Sequence, residues 1–253
     1  MVFTSRKRRS TRKSQYSRGV ALDLLVFGPH PDDIEIGLGG TIARHTAEGR
    51  SVGLVDLTAG ELGSNGTPTD RLHEANEAAK VLGAAWRENL GWPDGGIANT
   101  PDLVRSAVEV LRHHRPRVIA VPYWQDRHPD HVAASEVLTV AAFRSGLRRY
   151  KTGVDAWRPD WICYYFINDA APPSFVIDVS RHYDRKRAAL NCFRTQFAPT
   201  DTHAVPTRLT APAFRQRIES RDAQFGAEIN AAFAEGVVVR EPVERASLMK
   251  HLS

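Results

Sequence analysis

Gly28-Pro29-His30-Pro31-Asp32-Asp33-Ile34-Glu35 is the stretch that decides how this chain reads. It follows the apolar run Leu22 to Phe27, broken only by Asp23, and precedes Leu38-Gly39-Gly40-Thr41-Ile42-Ala43, which reads as a helix start. A buried strand ending in one His and two Asp puts polar groups at its carboxyl edge, where open α/β sheets bind ligands. His30 and Asp33 can turn towards one point while Asp32 stays free, giving two metal ligands and an unbound carboxylate. Alone, these residues suit a capped turn equally well, because Asp and Pro are common at helix starts. A second cluster, Arg127-His128-Pro129-Asp130-His131, follows another apolar run, Val118 to Val121. Two His/Asp clusters at the ends of two expected strands argue for one site rather than two unrelated turns.

Outward from these clusters the chain alternates short β-rich runs with helical ones. Ala21–Phe27 reads as the first strand and Gly39–Glu48 as the first helix. Ser51–Leu57 is a second strand, opening into the Gly-rich loop Thr58 to Thr69, after which Thr69 or Asp70 caps a helix running to Gly83. A strand at Trp86–Leu90, a helix over Pro101–His114, a strand at Arg117–Val121 and a helix over His131–Phe143 continue the pattern. This alternation implies βαβ units and a parallel sheet. Beyond Tyr150, strands are expected at Trp161–Ile167 and Phe175–Val179, with helices at Arg181–Arg194 and Ala211–Ala234. The aperiodic stretch Phe197–Thr210, with Pro199 and Pro206, is expected to be a mobile or inter-subunit loop. The expected fold is α/β and Rossmann-like, three layers around a mostly parallel sheet with a C-terminal strand/helix extension. One domain over residues 20–245 is expected, with tails at 1–19 and 246–253.

Of the 253 residues, 42% are hydrophobic and 25% charged, as in ordinary globular proteins. The net charge of +5 misleads, because residues 1–18 carry seven Lys and Arg and no acid, so the remainder is slightly acidic. A basic nucleic-acid-binding body is thereby excluded, and activity is expected to need no nucleic acid. The basic segment lacks the apolar stretch of a secretory signal, and no run approaches the ~20 apolar residues of a membrane span. Cys163 and Cys192 have no His or Cys at ligand spacing, so buried thiols in a reducing, cytoplasmic setting are expected.

If His30, Asp33 and His131 bind one divalent metal, at least one position remains for water, as a catalytic site requires. Such an ion lowers the pKa of water towards about 7 and polarises a carbonyl. Asp32 is then placed to act as general base. His128, three residues before His131, can face the site, with Asp130 holding it as an imidazolium that stabilises an oxyanion or protonates a leaving amine. Arg71, beyond the Gly-rich loop, is a candidate bidentate clamp for a substrate carboxylate. Arg127 is a second, with an ion pair to Asp126 or Glu61 as its alternative. Glu35 either braces its loop or touches substrate. Metal, base and electrophile together describe amide or ester hydrolysis.

The run from Gly28 to Thr41 resembles the signature of the LmbE/PIG-L family of zinc-dependent N-acetylglucosamine deacetylases. Thr58-Ala59-Gly60-Glu61 with Arg71, and His128-Pro129-Asp130-His131, resemble its second and third motifs. The similarity spans roughly residues 20–245. Leu90-Gly91-Trp92-Pro93-Asp94-Gly95 and Gly236 to Pro242 are most similar to the bacillithiol-biosynthesis deacetylases, which act on N-acetyl-glucosaminyl-malate. The resemblance implies His30, Asp33 and His131 as metal ligands for Zn2+ (or Fe2+), Asp32 as base, and His128 with Asp130 as electrophile. It implies Arg71 and Arg127 near the malate carboxylates, and a homo-oligomer such as a hexamer. Relatives also carry a carbonyl-polarising Tyr where this chain has Phe225-Gly226, so that donor is either absent here or supplied from elsewhere, by Tyr123 or Tyr183.

Other N-acetyl sugar conjugates (chitobiose, an inositol conjugate, a glycopeptide antibiotic) are alternative substrates. A non-haem iron oxygenase shares the two-His, one-carboxylate set but leaves Asp32 and His128 unexplained. Dinucleotide binding is disfavoured because Gly37-Leu38-Gly39-Gly40 has Ile42 where a third glycine is needed. A non-enzymatic binding module, with the basic segment on nucleic acid, is the remaining alternative.

Overall fold

The computed structural model describes residues 22–244. The basic and C-terminal tails expected from the sequence lie outside these residues. A seven-stranded sheet has the order β3-β2-β1-β4-β5-β7-β6. Strands β1 (Leu24–Gly28), β2 (Val52–Asp56), β3 (Trp86–Asn89), β4 (Val118–Pro122) and β5 (Trp161–Tyr165) run parallel. Helix α1 (Asp33–Ala47) follows β1, α2 (Pro68–Leu82) follows β2, α3 (Pro101–His114) follows β3 and α4 (Pro129–Ser145) follows β4. After β6 (Phe175–Asp178) come α5 (Tyr183–Cys192), the short α6 (Arg194–Phe197) and α7 (Pro212–Ala227).

Both faces of the sheet are covered, which is why β1 is buried along its whole length and reads as a continuous apolar run. Leu25, Phe27, Ile119 and Val121 pack with Val104, Leu111 and Leu138 of α3 and α4. Leu24, Val26 and Leu54 pack on the other side with Ile42, Ala78 and Leu190 of α1, α2 and α5. No described helix is long and apolar enough to cross a membrane.

Three expectations need correction. Helix α1 starts at Asp33, not Gly39, and is broken at Leu38 (φ −132°, ψ 17°). The run read as a helix start is a restart, whose free Gly40 and Thr41 amides donate to the Glu235 carboxylate at 2.9 and 2.7 Å. Helix α2 is capped by Thr67, not by Thr69 or Asp70, with Asp70 completing a capping box. The last helix ends at Ala227, and Ala234–Val238 forms β7, antiparallel to both β5 and β6. Apolar Val237 and Val238 find partners in the sheet rather than in a longer helix.

Candidate metal centre

The β1 strand delivers the first cluster to the carboxyl edge of the sheet. Leu57 donates its amide to the Gly28 carbonyl, and Thr58 donates both amide and hydroxyl to Pro29, so the ends of β1 and β2 are locked together. Asp32 then turns the chain with φ 108°, a left-handed conformation uncommon for a residue with a side chain. Strain of this kind persists where surrounding contacts over-determine it, often at functional sites. The next strand in the sheet, β4, carries the second cluster to the same edge. His128 caps α4 and Pro129 occupies its first turn, so the helix starts earlier than His131 and Asp130 is not its cap.

The two clusters meet at Asp33. Its Oδ2 lies 3.0 Å from His30 Nδ1 and 3.2 Å from His131 Nε2, and it accepts the His30 amide at 2.9 Å. All three side chains are buried, and one donor atom from each lies within 4.8 Å of the others. Two imidazoles and a carboxylate oxygen at this spacing fit a zinc-type divalent ion with positions to spare. Burial works to raise the Asp33 carboxyl, but His131 and His30 hold it well below the usual carboxylate range. Burial likewise opposes the charged form of His131, yet Asp33 and Asp126 raise it to about 9.

Asp32 sits beside the cluster without joining it. Burial pushes its carboxyl up to about 7, against the pull of Arg71. Arg71, expected as a carboxylate clamp, stands directly beside Asp32. Its guanidinium is almost fully buried, with Nη2 committed to the Pro31 carbonyl and, at 3.2 Å, to Asp32 Oδ2. Nε has no hydrogen-bond partner and Nη1, under Gly60 and Gly63, makes none among the described contacts, so one edge of the guanidinium stays uncommitted. Through Nη2, Arg71 holds Asp32 in place.

The expected His128–Asp130 pair is not formed through side chains. The Asp130 amide donates to His128 Nδ1 at 3.2 Å, which leaves the proton of a neutral ring on Nε2. The Asp130 carboxylate accepts from the Gly95 amide at 2.7 Å and lies 3.3 Å from His30 Nε2. Partial burial and the neighbouring His131 and His30 lower the pKa of His128. With Nδ1 accepting that amide, His128 is not held by the Asp130 carboxylate in the way the spacing suggested.

His30, Asp32, Asp33, Arg71, His128 and His131 line a cavity of about 510 Å³ that also includes Leu62, Gln196, Arg208 and Phe214. Arg127 is exposed at its rim, with no ion pair to Asp126 or Glu61 among the described contacts. Tyr183 donates to Asp222 in the core at 3.0 Å, Tyr123 packs against Trp124 and Phe166, and neither lines this cavity. The expectation that one of them replaces the missing phenol is therefore corrected. Glu35 braces: it is fully buried and paired with Arg87, which also holds Asp56.

Three residues escaped the sequence reading. Asp94 Oδ1 lies 3.0 Å from His30 Nε2, and its other oxygen accepts the Leu62 amide, tying two loops together. Its signal was present in Pro93-Asp94-Gly95-Gly96, which reads as a turn. Asp126 Oδ1 stands 3.2 Å from His131 Nδ1, in ion-pair range though not aligned as a hydrogen bond. Metal-binding histidines commonly offer their second nitrogen to a carboxylate in this way. Arg208 comes from the 197–210 stretch, which is no free lid here. The Asn65 side chain bonds both the amide and the carbonyl of Val205 at 2.8 Å, and Arg208 and Leu209 form part of the cavity wall.

Residues 25–142 match the family model described as PIG-L: GlcNAc-PI de-N-acetylase. The chain is 29% identical to the diacetylchitobiose deacetylase of Thermococcus kodakarensis, over 69% of this chain and 70% of that one. It is 30% identical to a 1D-myo-inositol 2-acetamido-2-deoxy-alpha-D-glucopyranoside deacetylase of Saccharomonospora viridis, over 68% of this chain and 84% of the relative. Among solved structures, the conserved protein TT1542 from Thermus thermophilus superposes with a TM-score of 0.83 at 38% identity, covering 91% of this chain and all of that one.

Proposed function

We propose, for a chain that belongs to the PIG-L/LmbE family, that it is a metal-dependent hydrolase removing acetate from an N-acetylglucosamine conjugate. The observation that carries this reading is the convergence of His30, Asp33 and His131 with a buried carboxylate outside the set, Asp32, beside them. Those three residues would hold a divalent ion, zinc or ferrous iron, which would supply Lewis acidity at the acetyl oxygen and acidify water. Asp32 takes the proton from the attacking water, and a carboxyl pushed to about 7 suits a base working near neutrality. His128, donating from Nε2, stabilises the oxygen on which charge develops, and the proton that Asp32 took from the water passes to the leaving amine as the C–N bond breaks. Arg71 keeps Asp32 oriented and ionisable.

For the aglycone we favour a carboxylated group, with malate in N-acetyl-glucosaminyl-malate as the first candidate, as in bacillithiol biosynthesis. Arg127 and Arg208 support this choice. Arg208 is propped by Asn168 Oδ1 at 3.3 Å and by the Phe214 ring, and its pKa is lowered by partial desolvation and by Arg127 and Arg217. Neighbouring guanidiniums at a cavity rim favour an anion between them. The free thiols Cys163 and Cys192 fit a cytoplasmic setting. The test is acetate release from N-acetylglucosamine conjugates that differ only in aglycone: malate, inositol or a second sugar. Fastest turnover of the malate conjugate is expected, and no acetate from any of them would sink the reading.

A further inference from the structure

We propose that the cavity holds a second divalent-cation position, on the Nε2 edge of His30, formed by His128, Asp130 and Asp94. The proposal rests on the first ion occupying the Nδ1 edge of the same ring, with Asp33 and His131. His30, His128 and Asp130 also place one donor atom each within 4.8 Å of one another, a second group that shares His30 with the first. Ligands around a shared ion at 2.0–2.2 Å are spaced up to roughly 4 Å apart, so only a small closure is required.

The partners of His30 Nε2 are more than its single proton can satisfy. Asp94 Oδ1 approaches to 3.0 Å and Asp130 Oδ2 to 3.3 Å. One carboxylate suffices to orient a metal-binding histidine through its second nitrogen. The other is surplus, and His128 stands beside the pair, its ring centroid 4.8 Å from that of His30. His128 Nδ1 already accepts from the Asp130 amide, so Nε2 is the atom left for a metal. Charge points the same way. Asp32, Asp33, Asp94, Asp126 and Asp130 crowd three histidines, and Arg71 is the guanidinium paired within the cluster. One divalent ion and Arg71 leave part of that negative charge uncompensated. A mixed imidazole–carboxylate set suits zinc, manganese or iron rather than calcium.

The second position is the weaker one. An ion there displaces the Nε2 proton of His128 to solvent, and that of His30 if it binds this ring as well. Filling it also removes the donor that His128 offers to the reaction, so excess metal switches hydrolysis off. The cavity would then respond to free metal in two opposite steps, activation and silencing.

Metal-free protein is dialysed against rising free Zn2+, and bound zinc is counted by mass spectrometry for wild type, Asp94→Asn and Asp130→Asn. Wild type should reach two ions in separated steps, with acetate release rising over the first step and falling over the second. Each variant should keep the first ion, weakened by no more than the ~10–100-fold typical of an outer-shell change, and lose the second step. A single ion in wild type at high free Zn2+, or a second ion indifferent to both substitutions, overturns the proposal while leaving the hydrolase reading intact. Absence of the first ion overturns both.

Discussion

Asp32 and Asp33 are adjacent in the chain and opposite in chemistry. Asp33 is surrounded by two imidazoles and stays ionised, whereas Asp32 meets one guanidinium and a wall of buried atoms, and its pKa rises. Replacing Asp32 by Asn should lower kcat by roughly 10²–10⁴-fold, the usual worth of a positioned base, with the metal retained. Full turnover by that variant would rule out the assigned mechanism. Arg71 pulls the Asp32 pKa down, so in Arg71→Ala that carboxyl rises further. The base must be ionised to act, and the acidic limb of the kcat–pH profile should therefore move to higher pH. An unmoved limb with a raised KM would instead support the clamp role. Arg208→Ala should raise KM for a carboxylated conjugate and spare a neutral one, the pattern of lost uniform binding. Far from the site, burial pushes the Cys163 thiol up to about 12, so thiol reagents at pH 8 should leave it unmodified until the protein unfolds.

At the scale of elements, the break in α1 is the feature that aims the site. Close packing surrounds its glycines: a Cβ at Gly37 would overlap the Tyr165 ring, and one at Gly40 would lie 2.8 Å from Val179. The break at Leu38 is held from both sides. Arg221 donates to the Ile36 carbonyl at 2.7 Å, and Glu235 accepts the amides of the restart. Lys186, wholly buried, bridges Glu235 at 2.7 Å and Asp222 at 2.6 Å. Removing one partner of a buried, bonded charge set leaves the others uncompensated and costs about 3–5 kcal/mol. Glu235→Ala should lose that much in urea unfolding; a loss under about 1 kcal/mol would mean that water replaces the carboxylate without consequence. The Gly-rich pattern revealed a helix start here, but not that it was the second, because the capping carboxylate arrives from β7, 194 residues away.

For the molecule as a whole, strand order is what makes the site. β1 and β4 lie side by side in the sheet although three helices and two strands separate them in the chain. That adjacency joins His30 and Asp33 to His131. A chain unfolded between these points presents no such set, so an ion that binds only the folded form should stabilise it by mass action. At free metal 100-fold above its Kd this amounts to about 2.7 kcal/mol. Thermal unfolding should shift upward on zinc addition and return on chelation; a midpoint insensitive to metal would contradict a preformed site.

The α/β alternation and the two His/Asp clusters were legible from the sequence alone, because periodicity, turn residues and ligand spacing are local properties. Strand β7, the place of Asp94, the redirected Asp130 and the pairing of Arg71 with Asp32 were decided only in three dimensions. Each depends on which groups meet across long chain separations, and a buried charge takes whichever partner the packing brings within hydrogen-bonding distance.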